Sequence, residues 1–474
     1  MTEDLGIAAL VFVITLAITF GAALYARHQA VPGAGDEDLA GRRLNRWLVG
    51  LSAGTAANSG FIVTGAVGLG YAGGLHWVLL PLSWMLGDLF YWTFFPERLN
   101  RLAREANATT LSELLTFNIG GATAKLISII VSVLLVTFLA TYTSAQWLAG
   151  RKFLSSVFEL SDLSALVFFS LTIIAYSSLG GFRGSIYTDV IQAVIRIIGT
   201  IVAVVAVVLY ALADPAYFSS NISGAGESFL SLLPRGTAIT ATGFIAGYAC
   251  AAIGFGLGQP QIITRYFAGS SPQETKAAWW IYIGFVQFTW IAMTIFGVML
   301  RGVMPGIEDP ETGLSLFFLR NIGAVATGII FADVFATIAS TSNGILIAIT
   351  QTLRRDLFGI YVFNAATMTL LTFVLGIITV LLSLVLPGNV FSIAIDSVSM
   401  IGAALAEPVV IKTLRWKHSG FSLLLAIVAG MSAAFIWKKL GYSAAFNEVG
   451  VGLVCSLVVN LAVAKLAGGR ISVM

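Results

Sequence analysis

Residues 51–60 read Leu51-Ser52-Ala53-Gly54-Thr55-Ala56-Ala57-Asn58-Ser59-Gly60, small and hydroxyl-bearing side chains inside a longer apolar run. A helix facing lipid at that depth would carry bulky aliphatics, so ten residues of little bulk invite the helix to unwind. A second interrupted stretch, Gly254-Phe255-Gly256-Leu257-Gly258-Gln259-Pro260, weakens another apolar run with three glycines and a proline. Unwound backbone frees carbonyl oxygens and helix-end dipoles, which a membrane tolerates only where protein or a water-filled cavity shields them from lipid. Interruptions at matching places in two five-helix groups are the sequence pointer to a transporter site. Close helix packing through Gly50 and Gly54 is the competing explanation of the first stretch.

The rest of the chain agrees with a membrane setting. Of its 474 residues, 58% are hydrophobic and 10% charged, against roughly 25% charged in a soluble domain. Mean hydropathy is +0.92, and apolar runs recur at the roughly 20-residue length that crosses about 30 Å of hydrocarbon. This composition excludes a water-soluble globule, and the absence of alternating segments of about ten residues argues against a transmembrane β-barrel. The apolar runs predict thirteen helices, at 5–25, 46–73, 75–95, 126–148, 163–179, 186–213, 237–257, 278–301, 322–352, 361–386, 389–414, 420–437 and 447–467. Together they form a single transmembrane domain over 1–474 in an all-α polytopic protein.

The first run follows Glu3 and Asp4 and precedes Arg27, the reverse of a secretory signal. It is expected to stay in the membrane with its N-terminus outside. The clusters Arg42, Arg43 and Arg46, then Arg98, Arg101 and Arg104, then Arg354 and Arg355, then Lys412, Arg415 and Lys417 then all face the cytoplasm, as does the C-terminus. A net charge of +3 with dispersed basic residues gives no reason to expect nucleic acid as a partner. The partners expected are the lipid bilayer and a small-molecule substrate. Two cysteines in apolar runs and three histidines supply neither a disulfide framework nor a catalytic metal cluster. Gly50-Leu-Ser-Ala-Gly54 matches GxSxG but sits in an apolar helix, without the strand and turn of a nucleophile elbow. No enzyme is expected. In the polar connection 97–125, Thr110 and Glu113 predict a capping box on a short interfacial helix.

Ser340 and Thr341, with the carbonyl of Thr337 one turn earlier, offer neutral oxygens suited to a small hard cation. Bonding back to the i−4 carbonyl is the bland alternative. Five acids fall within predicted helices: Asp88, Asp189, Asp333, Asp396 and Glu407. Each costs roughly 2.5–3.5 kcal/mol at mid-bilayer on insertion scales, so each should face protein or water. Arg196, two turns after Asp189, is its expected cationic neighbour. Asp333 and Asp396 read as interfacial, Asp88 and Glu407 as deep.

These residues resemble the sodium/solute symporter family, and within it the sodium/proline branch, over about 40–467. The matching pieces are Leu51-Ser-Ala-Gly54 followed by Ser59-Gly60; Gly180-Gly-Phe182 with Thr188-Asp189 and Gln192; Gly258-Gln-Pro260 with Arg265; and Ser340-Thr341 followed by Asp356-Leu357. The resemblance implies a leucine-transporter-type core of two inverted five-helix repeats, 46–213 and 237–414, with helix 5–25 before and helices within 420–467 after. It implies alternating access and residence in a bacterial inner membrane. A sodium ion would be held by the carbonyls of Thr55, Asn58 and Thr337 and the hydroxyls of Ser340 and Thr341. Substrate, an amino acid such as proline first, would lie near Ser59, Gly60, Tyr142, Phe255 and Gly256, with Asp88, Asp189 and Gln259 in coupling or gating.

The chain departs from the branch pattern at several places. Ala57 replaces an acid, a charge that Asp88 could supply. Asn343 and Gly344 replace second-sodium hydroxyls, so one sodium per cycle is expected. Ala252 and Gly256 replace aromatics, which predicts a wider pocket. The alternatives are proton-coupled symport through Asp88, Asp189 or Glu407, and a solute sensor, which would be expected to carry a signalling domain after Gly469.

Overall fold

The computed structural model describes residues 2–28, 36–233, 238–361, 365–386 and 389–466, and these are helical almost throughout. The helices that matter here are α1 (Thr2–His28), α2 (Arg46–Ala57), α3 (Gly65–Gly73), α4 (Leu79–Phe94), α5 (Pro96–Glu105), α6 (Gly121–Phe158), α7 (Asp162–Ala213) and α8 (Ala238–Gly258). They continue with α9 (Pro260–Ala268), α10 (Trp279–Val303), α11 (Ala324–Gln351), α12 (Ala365–Val385), α13 (Val390–Thr413), α14 (Gly420–Lys439) and α15 (Glu448–Leu466).

Among the described residues, ten helices are long and apolar enough to cross a membrane, or eleven if the bent pair at Leu75–Phe94 and Pro96–Glu105 is one span. Gly60–Gly73 and Asp162–Ser178 are shorter apolar helices, in the expected runs 46–73 and 163–179. The protein is therefore an integral membrane protein. The expected boundary between 163–179 and 186–213 falls at Gly181, whose non-helical φ of 58° and ψ of −164°, open to glycine, divide α7 into two helices that follow one another without a loop. α6 extends beyond 126–148 at both ends. The capping box forms as read: Glu113 N–H donates to Thr110 Oγ1 at 3.1 Å, and Thr110 N–H to Glu113 Oε2 at 3.3 Å.

Both readings of the small-residue stretches hold at once. A Cβ on Gly50 would lie 2.7 Å from Ile281 Cβ, and one on Gly54 would lie 2.8 Å from the Phe285 ring, so this turn of α2 lies tight against α10. The helix then ends at Ala57, and Asn58 (φ −85°, ψ 74°) and Ser59 (φ −76°, ψ 176°) leave helical geometry before a single turn over Gly60–Val63. Likewise Gly254 and Gly258 lie against Gly402 of α13, and α8 stops at Gly258. Gln259 is extended, and Pro260 restarts the chain at the first position of α9, where a missing N–H costs nothing. Lipid gives helices no hydrophobic reason to associate, so close approach of small residues carries much of this packing.

α3 and α10 meet where a Cβ on Gly297 would come 2.1 Å from the carbonyl oxygen of Val67. Gly297→Val should therefore lower the melting temperature of the detergent-purified protein by the equivalent of about 1–3 kcal/mol. Gly284→Ala on the same helix meets nothing within 4 Å and should be neutral or slightly stabilising, which a thermal-shift comparison of the two variants will check.

Candidate functional site

The break after α2 redirects a series of backbone hydrogen bonds. Ser59 N–H, the regular helical donor for Thr55, donates to Ala57 O at 3.1 Å instead. Gly60 N–H, the donor Ala56 would have had, goes to the side-chain oxygen of Gln146 on α6 at 2.9 Å. Ile62 N–H turns to Ser59 O at 2.9 Å rather than to Asn58. The carbonyls of Thr55, Ala56 and Asn58 thus lose their ladder partners in the protein interior.

Two of these oxygens face α11. Ser340 Oγ lies 3.3 Å from Thr55 O and 3.2 Å from Thr337 O. Thr341 Oγ1 lies 3.4 Å from both Thr55 O and Ala56 O. Good hydroxyl hydrogen bonds are 2.5–3.0 Å, whereas two oxygens bound at right angles to one hard cation at about 2.4 Å stand roughly 3.4 Å apart. The spacing and the all-oxygen donor set fit a small hard cation. Of the expected ligands, Thr55, Thr337, Ser340 and Thr341 come together. Ala56 joins them unforeseen, whereas the expected Asn58 carbonyl, though freed by the break, is not among the oxygens that Ser340 and Thr341 approach.

Beside this cluster lies a small cavity of about 50 Å³ whose walls include Ala57, Ser59, Phe61, Trp84, Tyr142, Phe255, Trp290 and Phe391. Of the residues expected near substrate, Ser59, Tyr142 and Phe255 line this cavity, and Tyr142 faces Ser59. Gly60 and Gly256 are not on the wall. Gly60 is closed in by Gln146, Ile338 and Ala149, and Gly256 receives the ring of Tyr91, whose Cζ would lie 2.4 Å from an added Cβ. The widening expected from Ala252 and Gly256 is accordingly corrected. Gly87 of α4 approaches Ala252, and Tyr91 fills the notch at Gly256. The aromatic wall comes from elsewhere: Trp84 packs edge-on to Phe255 and Trp290 at 5.5 and 5.4 Å, and Phe61 packs on Trp290 and Phe391 at 5.5 and 5.2 Å. None of the described lining side chains is charged.

The acids fall into distinct settings. Asp189 is fully buried and accepts from Ser52 Oγ at 2.6 Å and Arg265 at 3.1 Å, tying α2, α7 and α9 together. Arg265 also donates to Ser185 at 2.7 Å and lies over the Phe182 ring, and an added Cβ at Gly344 would come within 3.4 Å of it. Arg196 is not the neighbour of Asp189; it pairs with Asp333 at 2.6 Å, both buried. Asp333 is thus no interfacial residue: Gly199 leaves room for its carboxylate, which also accepts from Thr337 Oγ1 at 3.2 Å. Asp396 is half-buried and pairs with Lys438. Glu407 is buried and accepts from Ser456 of α15 at 2.7 Å. Gln259, in the second break, accepts from Gln261 at 3.0 Å. Asp88 is fully buried on α4.

Residues 39–420 match the sodium:solute symporter family. The chain belongs to that family. It is 28% identical to a sodium/proline symporter of Haemophilus influenzae, with 85% of this chain and 83% of the relative aligned. It is 23% identical to a sodium/pantothenate symporter of the same bacterium, over 99% and 98% of the two chains. A solved Na+-coupled sialic acid symporter superposes with a TM-score of 0.81 at 16% identity, covering 97% of this chain and 98% of that one, so the two share a fold. The protein is a sodium-coupled symporter, not an enzyme.

The Arg196–Asp333 pair offers a stability test. Asp333→Asn leaves a buried guanidinium unbalanced and should cost about 3–5 kcal/mol, whereas Arg196→Met with Asp333→Leu should recover most of it. Thermal denaturation of both variants in detergent will measure the difference.

Proposed function

We propose that this symporter takes up proline or a related small zwitterion together with one sodium ion, by alternating access. The observation that carries the reading is the convergence of the Ser340 and Thr341 hydroxyls on the carbonyls of Thr55, Ala56 and Thr337 at a helix break, next to an aromatic cavity. A cation there would tie α2 to α11, complete the cavity wall at Ser59 and present positive charge to a substrate carboxylate. The pyrrolidine ring would lie among Phe61, Trp84, Trp290 and Phe391. One charge moving through about 100 mV supplies roughly 2.3 kcal/mol, enough for about a fifty-fold solute gradient.

The assignment includes thirteen membrane transits, with 46–213 and 237–414 as the two inverted repeats. It also includes an N-terminus outside, a cytoplasmic C-terminus and a bacterial inner membrane. Asp189 and Arg265 would fasten the inner end of α2 to α9, and Gln259 would sit in the second joint. A second substrate reading has a specific support: with no acidic side chain on the described wall to meet an ammonium, a carboxylate without an amine, such as pantothenate, also fits.

The deciding experiment is thermal stability of the purified protein in NaCl against choline chloride, with proline, other amino acids and pantothenate. A ligand that prefers the native state raises its stability by mass action. A sodium-dependent shift enlarged by proline supports the first reading, and one enlarged by pantothenate the second. Ser340→Ala with Thr341→Ala should abolish the sodium effect; a well-folded double variant with unchanged sodium dependence removes the site.

A further inference from the structure

One turn beneath the cavity wall, the interior holds polar atoms whose hydrogen-bonding capacity is unmet. Trp84 lines the cavity, and Asp88 follows it by four residues on the same buried face of α4. Both carboxyl oxygens of Asp88, both polar atoms of the Gln287 amide and the hydroxyl of Tyr282 lack a hydrogen bond of ordinary geometry among the described residues. Gln287 nevertheless faces Asp88 from α10, and Asp88, Gln287 and Tyr282 are 0%, 6% and 0% exposed. No described Lys or Arg pairs with Asp88. The ionisable side chains around it are Tyr91 on its own helix, Tyr282 from α10 and Tyr266 from α9. From α8, Ala249, Ala252 and Gly256 meet α4 at Gly87 and Tyr91 and bring no titratable group.

We propose that Asp88 and Gln287 form a proton-binding site coupled to the solute cavity. Most native buried polar groups are satisfied, and the remaining orphans ask what is missing. One proton answers for four of them. With a hydrogen on one Asp88 oxygen, that O–H donates to Gln287 Oε1 while Gln287 Nε2 donates to the other Asp88 oxygen, a cyclic acid–amide pair. The step is simple: a proton leaves a hydronium ion, an O–H bond forms on Asp88, and water is released. A sodium ion is the poorer occupant. A hard cation takes about six oxygens, and α4 and α10 are regular helices here, with their carbonyls committed to the ladder.

Access follows from the second break. The Tyr91 ring, three residues after Asp88 on the same helix, is seated in the Gly256 notch, one half-turn from the end of α8, and its hydroxyl meets that of Tyr266 on α9 at 3.2 Å. A change of angle between α8 and α9 would unseat Tyr91 and open Asp88 to water, exchanging the proton as the cavity changes sides. The coupling part rests on the symport reading above; the proton site itself does not.

Infrared difference spectra of wild type against Asp88→Asn, purified at neutral pH, test the site directly. The wild type should show the carbonyl stretch of a protonated carboxylic acid that the variant lacks, and Gln287→Leu should shift that band by removing its partner. Ser340→Ala with Thr341→Ala is the control and should keep the band. Absence of the band from wild type, or its persistence in Asp88→Asn, overturns the proposal. Proteoliposomes with a trapped pH indicator, driven by a sodium gradient with proline or pantothenate outside, test coupling. Wild type should acidify the lumen and Asp88→Asn should not. Sodium-driven uptake without acidification in wild type overturns the coupling. If neither solute is taken up, the substrate reading fails while the infrared result still decides the proton site.

Discussion

The hydrogen bond from Gly60 N–H to the Gln146 side chain holds the centre of this molecule open. Without an acceptor on α6, Gly60 N–H would return to Ala56 O and the helix would close through Asn58 and Ser59. With it, a side chain buried on a different helix satisfies the donor, and the carbonyls released at Thr55 and Ala56 stay available inside the protein. An unmade backbone hydrogen bond in hydrocarbon costs several kcal/mol, so the break can exist only because Gln146 and the hydroxyls of α11 share the freed groups. The oxygen cluster and the wall at Ser59 are both consequences of that exchange.

Around the break, glycine and charge divide the work of fixing helix positions. Gly50 and Gly54 set α2 on α10, and Gly254 with Gly402 sets α8 on α13. The buried pairs Asp189–Arg265 and Arg196–Asp333 then fix which helices meet and at what height. Replacing such pairs by apolar residues is often neutral for stability, so their use here is better understood as a choice of register than as a source of strength.

Much of this was legible in the sequence, for identifiable reasons. Helix breaks are written in small residues and proline, and the oxygens of α11 that meet the broken end of α2 sit three and four residues apart on one helix, so local spacing points to both. The capping box at Thr110 is local too. What stayed hidden depended on partners distant in the chain. Arg196 stands seven residues from Asp189, yet it turns to Asp333 of another helix, because Gly199 on its own helix leaves the space for that carboxylate. The loss of aromatics at Ala252 and Gly256 reads as a wider pocket until the structure shows Gly87 and Tyr91 occupying the space. Gln146 carried a signal that could have been used: a carboxamide one turn after Tyr142 in an apolar run needs a buried partner.

The Arg196–Asp333 pair also bears on how the protein enters its membrane. Its two members lie 137 residues apart in the chain, on helices made well before and well after one another. Each alone would meet hydrocarbon as an isolated charge, at a cost of roughly 2.5–3.5 kcal/mol on insertion scales. Until α11 is made, α7 either carries that cost or keeps the Arg196 head group drawn toward water. The order of synthesis leaves the first half of this protein incompletely settled until the second half is made.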